Sequence, residues 1–143
     1  MNSATGVVCL LLNLWVLGAM LVFALISYPG FAAADPGAFP QLYSAWNARI
    51  GVLVVPFEFL AFLACFALYA FRSDAVPASW VHALIGLGVV YFAITFAWHL
   101  PAHRPLAAGQ NGADVLRPLL TSQWVRTVVC LARVGLLGLL VTR

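Results

Sequence analysis

Four apolar runs, each long enough for a membrane-spanning helix, place the strongest constraint on how this chain can fold. An α-helix rises 1.5 Å per residue, so about 20 apolar residues are needed to cross the hydrocarbon core of a bilayer. Runs of about that length or longer lie at residues 5–28, 41–71, 79–100 and 114–142. Because a backbone in lipid must satisfy its hydrogen bonds within each segment, these runs predict four transmembrane helices.

The composition agrees with this reading. Of the 143 residues, 64% are hydrophobic and 8% are charged, whereas about a quarter of the residues in a soluble domain are charged. The length leaves room for one domain, residues 1–143. We therefore predict an all-α fold: an integral membrane, antiparallel four-helix bundle that resides in the cell membrane as a multi-pass protein. The net charge of +3 is small and scattered, so no nucleic-acid partner is expected.

One carboxylate, Glu58, lies deep inside one of these runs, whereas Asp114 is at the very start of the fourth. A carboxylate in the hydrocarbon region costs roughly 2.5–3.5 kcal/mol, so a chain that keeps one there usually has a partner or a use for it. Pro56 is expected to interrupt the second helix just before this acid. If helices two and four enter the membrane near Ile50 and Pro118, Glu58 and Arg126 both lie about 12 Å deep. We therefore expect Arg126 within reach of Glu58, either as a structural ion pair or beside a catalytic acid.

Further polar and aromatic residues fall in the same half of the predicted bundle. His99 and Tyr91 are candidate catalytic residues together with Glu58. Candidate substrate-binding residues share this half of the membrane: Asn47, Arg49, Trp98, His103, Arg117, Gln123, Trp124 and Arg126. This asymmetry predicts a polar pocket that opens toward the loops at residues 29–40 and 101–113.

Prolines define the predicted ends of two helices. Pro29 is expected to end the first helix and Pro101 the third, because proline lacks the N–H that a helix interior requires. His99 and His103 have the i,i+4 spacing of metal ligands on a helix, but Pro101 interrupts the helix between them and no clear third ligand is present. Helices one, two and four carry no histidine that could hold a haem between helices. We therefore predict neither a metal nor a cofactor.

The order of several short motifs resembles a little-characterised family of bacterial four-helix membrane proteins. The motifs span most of the chain: Tyr28-Pro29-x-Phe31, Tyr43-x3-Asn47-x-Arg49-Ile50, Pro56-x-Glu58, His99-x-Pro101-x-His103-x2-Leu106, and Gln123-Trp124-x-Arg126-Thr127 followed by Arg133. In the second motif this chain has Asn47 where a histidine is expected. The resemblance implies a fold and names no reaction.

A looser resemblance, in size and character, is to small integral membrane terpene cyclases. It implies a cyclase in which Glu58, as a neutral acid, protonates an epoxide or an alkene of a prenylated substrate. The resulting cation needs aromatic faces, for which the candidates are Phe57, Phe59, Tyr91, Trp98 and Trp124. A close Arg126 competes with this role, because it stabilises the ionised form of the acid.

Two other functional classes stay open. The chain also resembles the anthrone-oxygenase group, in which His99 or His103 would act as a base on an acidic aromatic C–H without a cofactor. A non-enzymatic transporter or assembly subunit is the third class, with Glu58 as a proton or cation site. The expected partners are an apolar, lipid-soluble small molecule and membrane lipids, and self-association into a homo-oligomer is compatible with each class.

Overall fold

The computed structural model describes residues 3–72 and 76–142, and within these ranges the chain forms four helices and no strand. We number the helices α1 (residues 3–33), α2 (39–70), α3 (78–107) and α4 (113–141). Their segments are Ser3–Val22, Phe23–Ser27 and Tyr28–Ala33 in α1; Phe39–Leu53 and Val55–Ala70 in α2; Ala78–Ile94, Thr95–His99 and Leu100–Ala107 in α3; and Ala113–Val141 in α4. Each helix is long and apolar enough to cross a membrane. The predicted all-α four-helix bundle is thus confirmed.

The bundle carries polar side chains inside and large apolar side chains outside. Each helix packs against the next one along the chain, and α4 closes the bundle against α1. Asn13, Glu58, Gln123 and Arg133 are buried, whereas large aliphatic and aromatic residues are exposed along all four helices. Most of the buried residues are apolar as well, so the large apolar residues exposed on all four helices are what suits an outer surface in contact with lipid.

Two predicted helix ends are wrong, because α1 and α3 continue through their prolines to Ala33 and Ala107. In both helices the proline follows a widened turn with hydrogen bonds spanning five residues: Tyr28 N–H donates to Phe23 O, and Leu100 N–H donates to Thr95 O. In a regular α-helix the N–H at the proline position would donate to the carbonyl four residues earlier. Here that carbonyl lies within the widened turn, so the missing proline N–H removes no bond from a regular series of α-helical hydrogen bonds. The extra turns bring His103 into the bundle instead of leaving it in a loop, and they place Tyr28 within a helix instead of at its end.

The predicted interruption of α2 is confirmed beside Pro56. The helix breaks at Val54, whose backbone angles are φ −120° and ψ −49°. Hydrogen bonds persist on both sides, from Val54 N–H to Ile50 O at 3.0 Å and from Glu58 N–H to Val54 O at 3.1 Å. Glu58 therefore lies in the first turn of the second segment of α2 and is buried, as predicted.

The close packing of α2 on α3 depends on Gly88. A Cβ atom at Gly88 would lie 2.4 Å from Cδ2 of Phe62, whereas a Cβ at Gly86 would meet nothing within 4 Å. We expect Gly88→Ala to destabilise the fold by about 1–3 kcal/mol, because the Phe62 ring must leave its place. The matched variant Gly86→Ala should be neutral or stabilising by up to about 1 kcal/mol, since alanine is the better helix former. Unfolding of both variants in a denaturing detergent titration measures the difference, and equal stabilities would contradict the close contact.

Candidate functional site

A cavity of about 270 Å³ lies between α2 and α3 in the half of the bundle where the polar residues were predicted to gather. Phe23 and Tyr28 of α1 and Arg126 of α4 close its inner side. Its wall combines aromatic rings with a small set of polar side chains: Tyr28, Asn47, Glu58, Thr95, His99, His103 and Arg126. An apolar pocket with a few convergent polar groups is the usual form of a small-molecule site.

The cavity opens sideways, between the two helices, onto the apolar outer surface of the bundle. Its rim includes Val55, Phe59, Phe96 and Leu100, and these side chains are between 38% and 56% exposed. On one side of the opening α2 and α3 meet where Phe59 stacks on Phe92, with ring centroids 4.9 Å apart. On the other side they meet where the Tyr43 hydroxyl lies 2.9 Å from Nδ1 of His103. The opening is therefore a window in the side of the bundle.

Glu58 lies at the inner part of the cavity and is held through one oxygen. Its Oε1 accepts a hydrogen bond from the Tyr91 hydroxyl at 2.6 Å and another from Nη2 of Arg126 at 3.0 Å. The same Nη2 also donates to the Tyr91 hydroxyl. No side chain among the described residues donates to Oε2. Because Glu58 lines the cavity, Oε2 is the carboxyl oxygen that a bound molecule can reach.

Arg126 joins Glu58 to the other helices of the bundle. The prediction that it lies within hydrogen-bond reach of Glu58 is confirmed. Its guanidinium carbon lies 4.7 Å from the centre of the Tyr91 ring, and Nη1 donates to Oε1 of Gln123 at 3.3 Å. Gln123 in turn donates from Nε2 to the Met20 carbonyl of α1 at 2.9 Å. The ion pair is thus embedded in contacts with all four helices.

Two histidines and two tyrosines form a second polar group at the same cavity. Nε2 of His99 and Nε2 of His103 are 3.2 Å apart, and the Tyr28 hydroxyl lies 3.2 Å from the first and 3.4 Å from the second. Nδ1 of each ring has its own partner: the Ser122 hydroxyl at 2.8 Å for His99, and the Tyr43 hydroxyl at 2.9 Å for His103. The extended α3 supports this group, because both histidines lie on one continuous helix.

The hydrogen bonds of Ser122 assign the tautomer of His99. The Ser122 hydroxyl lies 2.8 Å from the Leu119 carbonyl, which can only accept a hydrogen bond. The single hydroxyl proton therefore goes to Leu119, and Nδ1 of His99 must donate to Ser122 for both contacts to be satisfied. Nε2 of His99 is therefore an acceptor, and its lone pair faces Nε2 of His103 and the Tyr28 hydroxyl, each 3.2 Å away.

The structure brings together most of the residues that the sequence singled out. Asn47, Glu58, His99, His103 and Arg126 line the cavity. Tyr91 and Gln123 lie behind the cavity wall, where they bond to Glu58 and Arg126.

Other predicted residues do not reach the cavity. Trp98 and Trp124 are each 40% exposed and point away from the bundle interior. Arg49 is exposed, and Arg117 lines a separate surface depression beside Tyr28. Of the five aromatic residues predicted to surround a cation, Phe59 alone lines the cavity. The prediction that Arg49, Trp98, Arg117 and Trp124 lie in the same pocket as Glu58 is therefore wrong.

Sequence reasoning missed three residues of this site. Trp46 stacks on His103, with ring centroids 6.0 Å apart and planes 17° apart, and Ser122 orients His99. Tyr28 was expected to lie at the end of a helix rather than between two histidines. One signal was available for Ser122, which precedes Arg126 by four residues and so shares its helical face.

Comparison of the chain with known protein families, with curated proteins and with solved structures gave no match. The family resemblances described above stay predictions. The functional proposals that follow rest on the residues of the cavity and their geometry.

Proposed function

We propose that this protein is a membrane-embedded terpene cyclase of the cell membrane, with Glu58 as the proton donor to an apolar, prenylated substrate. The observation that carries the proposal is the asymmetric bonding of the Glu58 carboxyl group. Both of its donors, Tyr91 and Arg126, bond to Oε1, so Oε2 has no protein donor. The proposed acid is the form of Glu58 that carries a proton on Oε2, and the ion pair with Arg126 must take up that proton before each turnover. A general acid must present its proton to the reacting atom, and an Oε2 without a protein donor supports this role for Glu58.

The surroundings of Glu58 suit the two proton transfers of a cyclisation. When Oε2 gives its proton to an epoxide oxygen or an alkene carbon, Arg126 and Tyr91 stabilise the carboxylate that remains. Cyclisation ends when the last cation loses a proton, and the same carboxylate is positioned to accept it. The reaction is an isomerisation, so the proton given at the start is returned at the end.

The cavity wall supports the passage of a cation. Phe23, Trp46, Phe59, Phe92 and Phe96 surround the space next to Glu58. Aromatic faces attract cations, so these rings support a carbocation that forms next to Glu58. The cavity of about 270 Å³ is at the small end for ligand sites, so the reacting end of a prenyl chain fits inside while its tail lies in the window.

Product analysis in reconstituted vesicles tests the proposal. Wild-type protein is incubated with a panel of prenyl epoxides and prenyl alkenes. The products are separated, and their molecular masses are measured by mass spectrometry. In H₂O we expect a product of unchanged mass and new ring structure. In D₂O the product of a prenyl alkene should gain one carbon-bound deuterium, because the Glu58 proton exchanges with water between turnovers, whereas the product of an epoxide receives it on an exchangeable hydroxyl group. Absence of any isomerised product across the panel would contradict the cyclase and favour a transporter or assembly subunit.

A cofactor-free oxygenase is the second candidate, and the lone pair on His99 Nε2 favours it. With Nδ1 donating to Ser122, the unprotonated Nε2 would act as a base on an acidic C–H of a molecule in the cavity that replaces its contacts with His103 and Tyr28. The carbanion would then react with O₂ to form a hydroperoxide, which loses water to give the ketone, so one oxygen atom of O₂ stays in the product and the other leaves as water. Anthrones in the same panel distinguish this class, because their product gains mass from ¹⁸O₂ whereas a cyclase product does not.

A further inference from the structure

We propose that His99, His103 and Tyr28 form a binding site for a divalent first-row transition metal ion of the Zn²⁺ type. Three potential ligand atoms converge there: Nε2 of each histidine and the oxygen of the tyrosine. No three His, Cys, Asp or Glu side chains cluster within the described ranges, and the third donor here is a phenol. The site does not depend on the chemistry proposed for Glu58.

The distances between the three donors match a tetrahedral metal site. Ligands that lie 2.0–2.1 Å from a tetrahedral ion are about 3.3–3.4 Å from one another. The two histidine nitrogens are 3.2 Å apart, and the Tyr28 oxygen lies 3.2 and 3.4 Å from them. An ion slightly above this near-equilateral triangle would bind all three donors with small movements.

The outer hydrogen bonds also have the form of a metal site. A histidine ligand usually donates its other ring N–H to a fixed partner, which sets the tautomer and the direction of the ring. Nδ1 of His99 donates to Ser122, and Nδ1 of His103 faces the Tyr43 hydroxyl at 2.9 Å, so each ring is held from behind. Tyr28 is 2% exposed and packs against Phe31 and Trp46, which fixes its oxygen as well.

The fourth position of the ion faces the cavity, because all three ligands line it. A tetrahedral site with three protein ligands and one open position is typical of catalytic rather than structural zinc. With Tyr28 bound as a phenolate, the ion and its three ligands carry a net charge of +1. Because Arg126 is also positive, a neutral or negative fourth ligand is favoured, such as water, hydroxide or an oxygen atom of the substrate. A bound ion also occupies the lone pair of His99 Nε2, so the metal site and the cofactor-free base exclude each other.

Metal titration of the purified full-length protein tests the site. Protein freed of its affinity tag and dialysed against a chelator is titrated with Co²⁺, whose visible absorption reports four-coordinate binding, and Zn²⁺ is then added to displace it. We expect one ion per chain, confirmed by elemental analysis. Ser122→Ala should weaken binding by about 10–100-fold, because it removes an outer partner of His99.

Two ligand variants and a matched control decide the result. Tyr28→Phe keeps the ring that packs against Trp46 and removes only the oxygen, so it should fold and bind more weakly than Ser122→Ala. His103→Gln should lose stoichiometric binding. His82→Gln is the control, because His82 is exposed and contacts Tyr69 at the other end of the bundle.

Two outcomes would overturn the metal site. One is wild-type protein that binds no more Co²⁺ than His103→Gln, which would indicate a cluster held by hydrogen bonds alone. The other is Tyr28→Phe with wild-type affinity. Neither readout requires turnover, so a failed cyclase assay leaves the metal result interpretable.

Discussion

Glu58→Gln should lower product formation by about 10²–10⁴-fold, the usual contribution of a general acid, while folded protein is still recovered. Glutamine keeps the shape of the side chain, and its amide oxygen can still accept hydrogen bonds from Tyr91 and Arg126. It cannot carry the proton that Oε2 presents to the cavity. The substitution therefore separates proton transfer from packing. Product formed per unit of folded protein in vesicles is the measurement.

Asp114→Asn is the matched control for this experiment. Asp114 is an exposed carboxylate in the first turn of α4 and does not line the cavity, so its amide variant should keep wild-type turnover. If Glu58→Gln instead keeps turnover and loses thermal stability, Glu58 serves only to pair with Arg126. The proton donor would then be sought at His99, His103 or Tyr91.

Arg126→Gln should destabilise the bundle by about 3–5 kcal/mol, the usual cost of breaking a buried ion pair. Arg126 and Glu58 are 3% and 7% exposed, so the carboxylate left behind has little access to water. The variant also loses the contacts of the guanidinium with Tyr91 and Gln123. The free energy of unfolding in a denaturing detergent titration measures the loss.

A double variant and a surface variant make this measurement specific. Arg126→Gln with Glu58→Gln should be more stable than Arg126→Gln alone, because the unpaired charge is gone; the difference is read from a double-mutant cycle. Arg117→Gln removes an exposed arginine from the same helix and should change stability by less than about 0.5 kcal/mol. Equal losses for Arg126→Gln and Arg117→Gln would show that the buried pair adds nothing to stability.

The contact between Glu58 and Arg126 could be predicted from the sequence because it depends on depth alone. Two parallel helices of known entry points place residues at equal distances from the membrane edge at the same level, and a buried charge needs its partner at that level. The four helices followed from the lengths of the apolar runs in the same way. Both inferences depend only on how far along the helix axis a residue lies. Neither depends on which face of the helix is turned toward the interior of the bundle.

The rotation of the helices could not be predicted, and this is why Trp98 and Trp124 were placed in the wrong environment. A helix that is apolar all round carries no hydrophobic stripe to show which face is turned inward. The position of Tyr28 between His99 and His103 was missed for a different reason. The rule that proline ends a helix was applied to Pro29 and Pro101 without the widened turns that absorb them, and those turns are set by backbone hydrogen bonds rather than by any residue type.

The window between α2 and α3 has a consequence for how occupancy of the site must be measured. If a substrate enters through this window from a bilayer, the exposed apolar rim places it in competition with acyl chains, and binding becomes an exchange of one chain for another. The relevant concentration is then the mole fraction of substrate in the membrane, and adding more lipid at constant substrate should lower the rate. Detergent molecules compete in the same way, so rates in micelles and in vesicles become comparable only when each is expressed per mole of amphiphile.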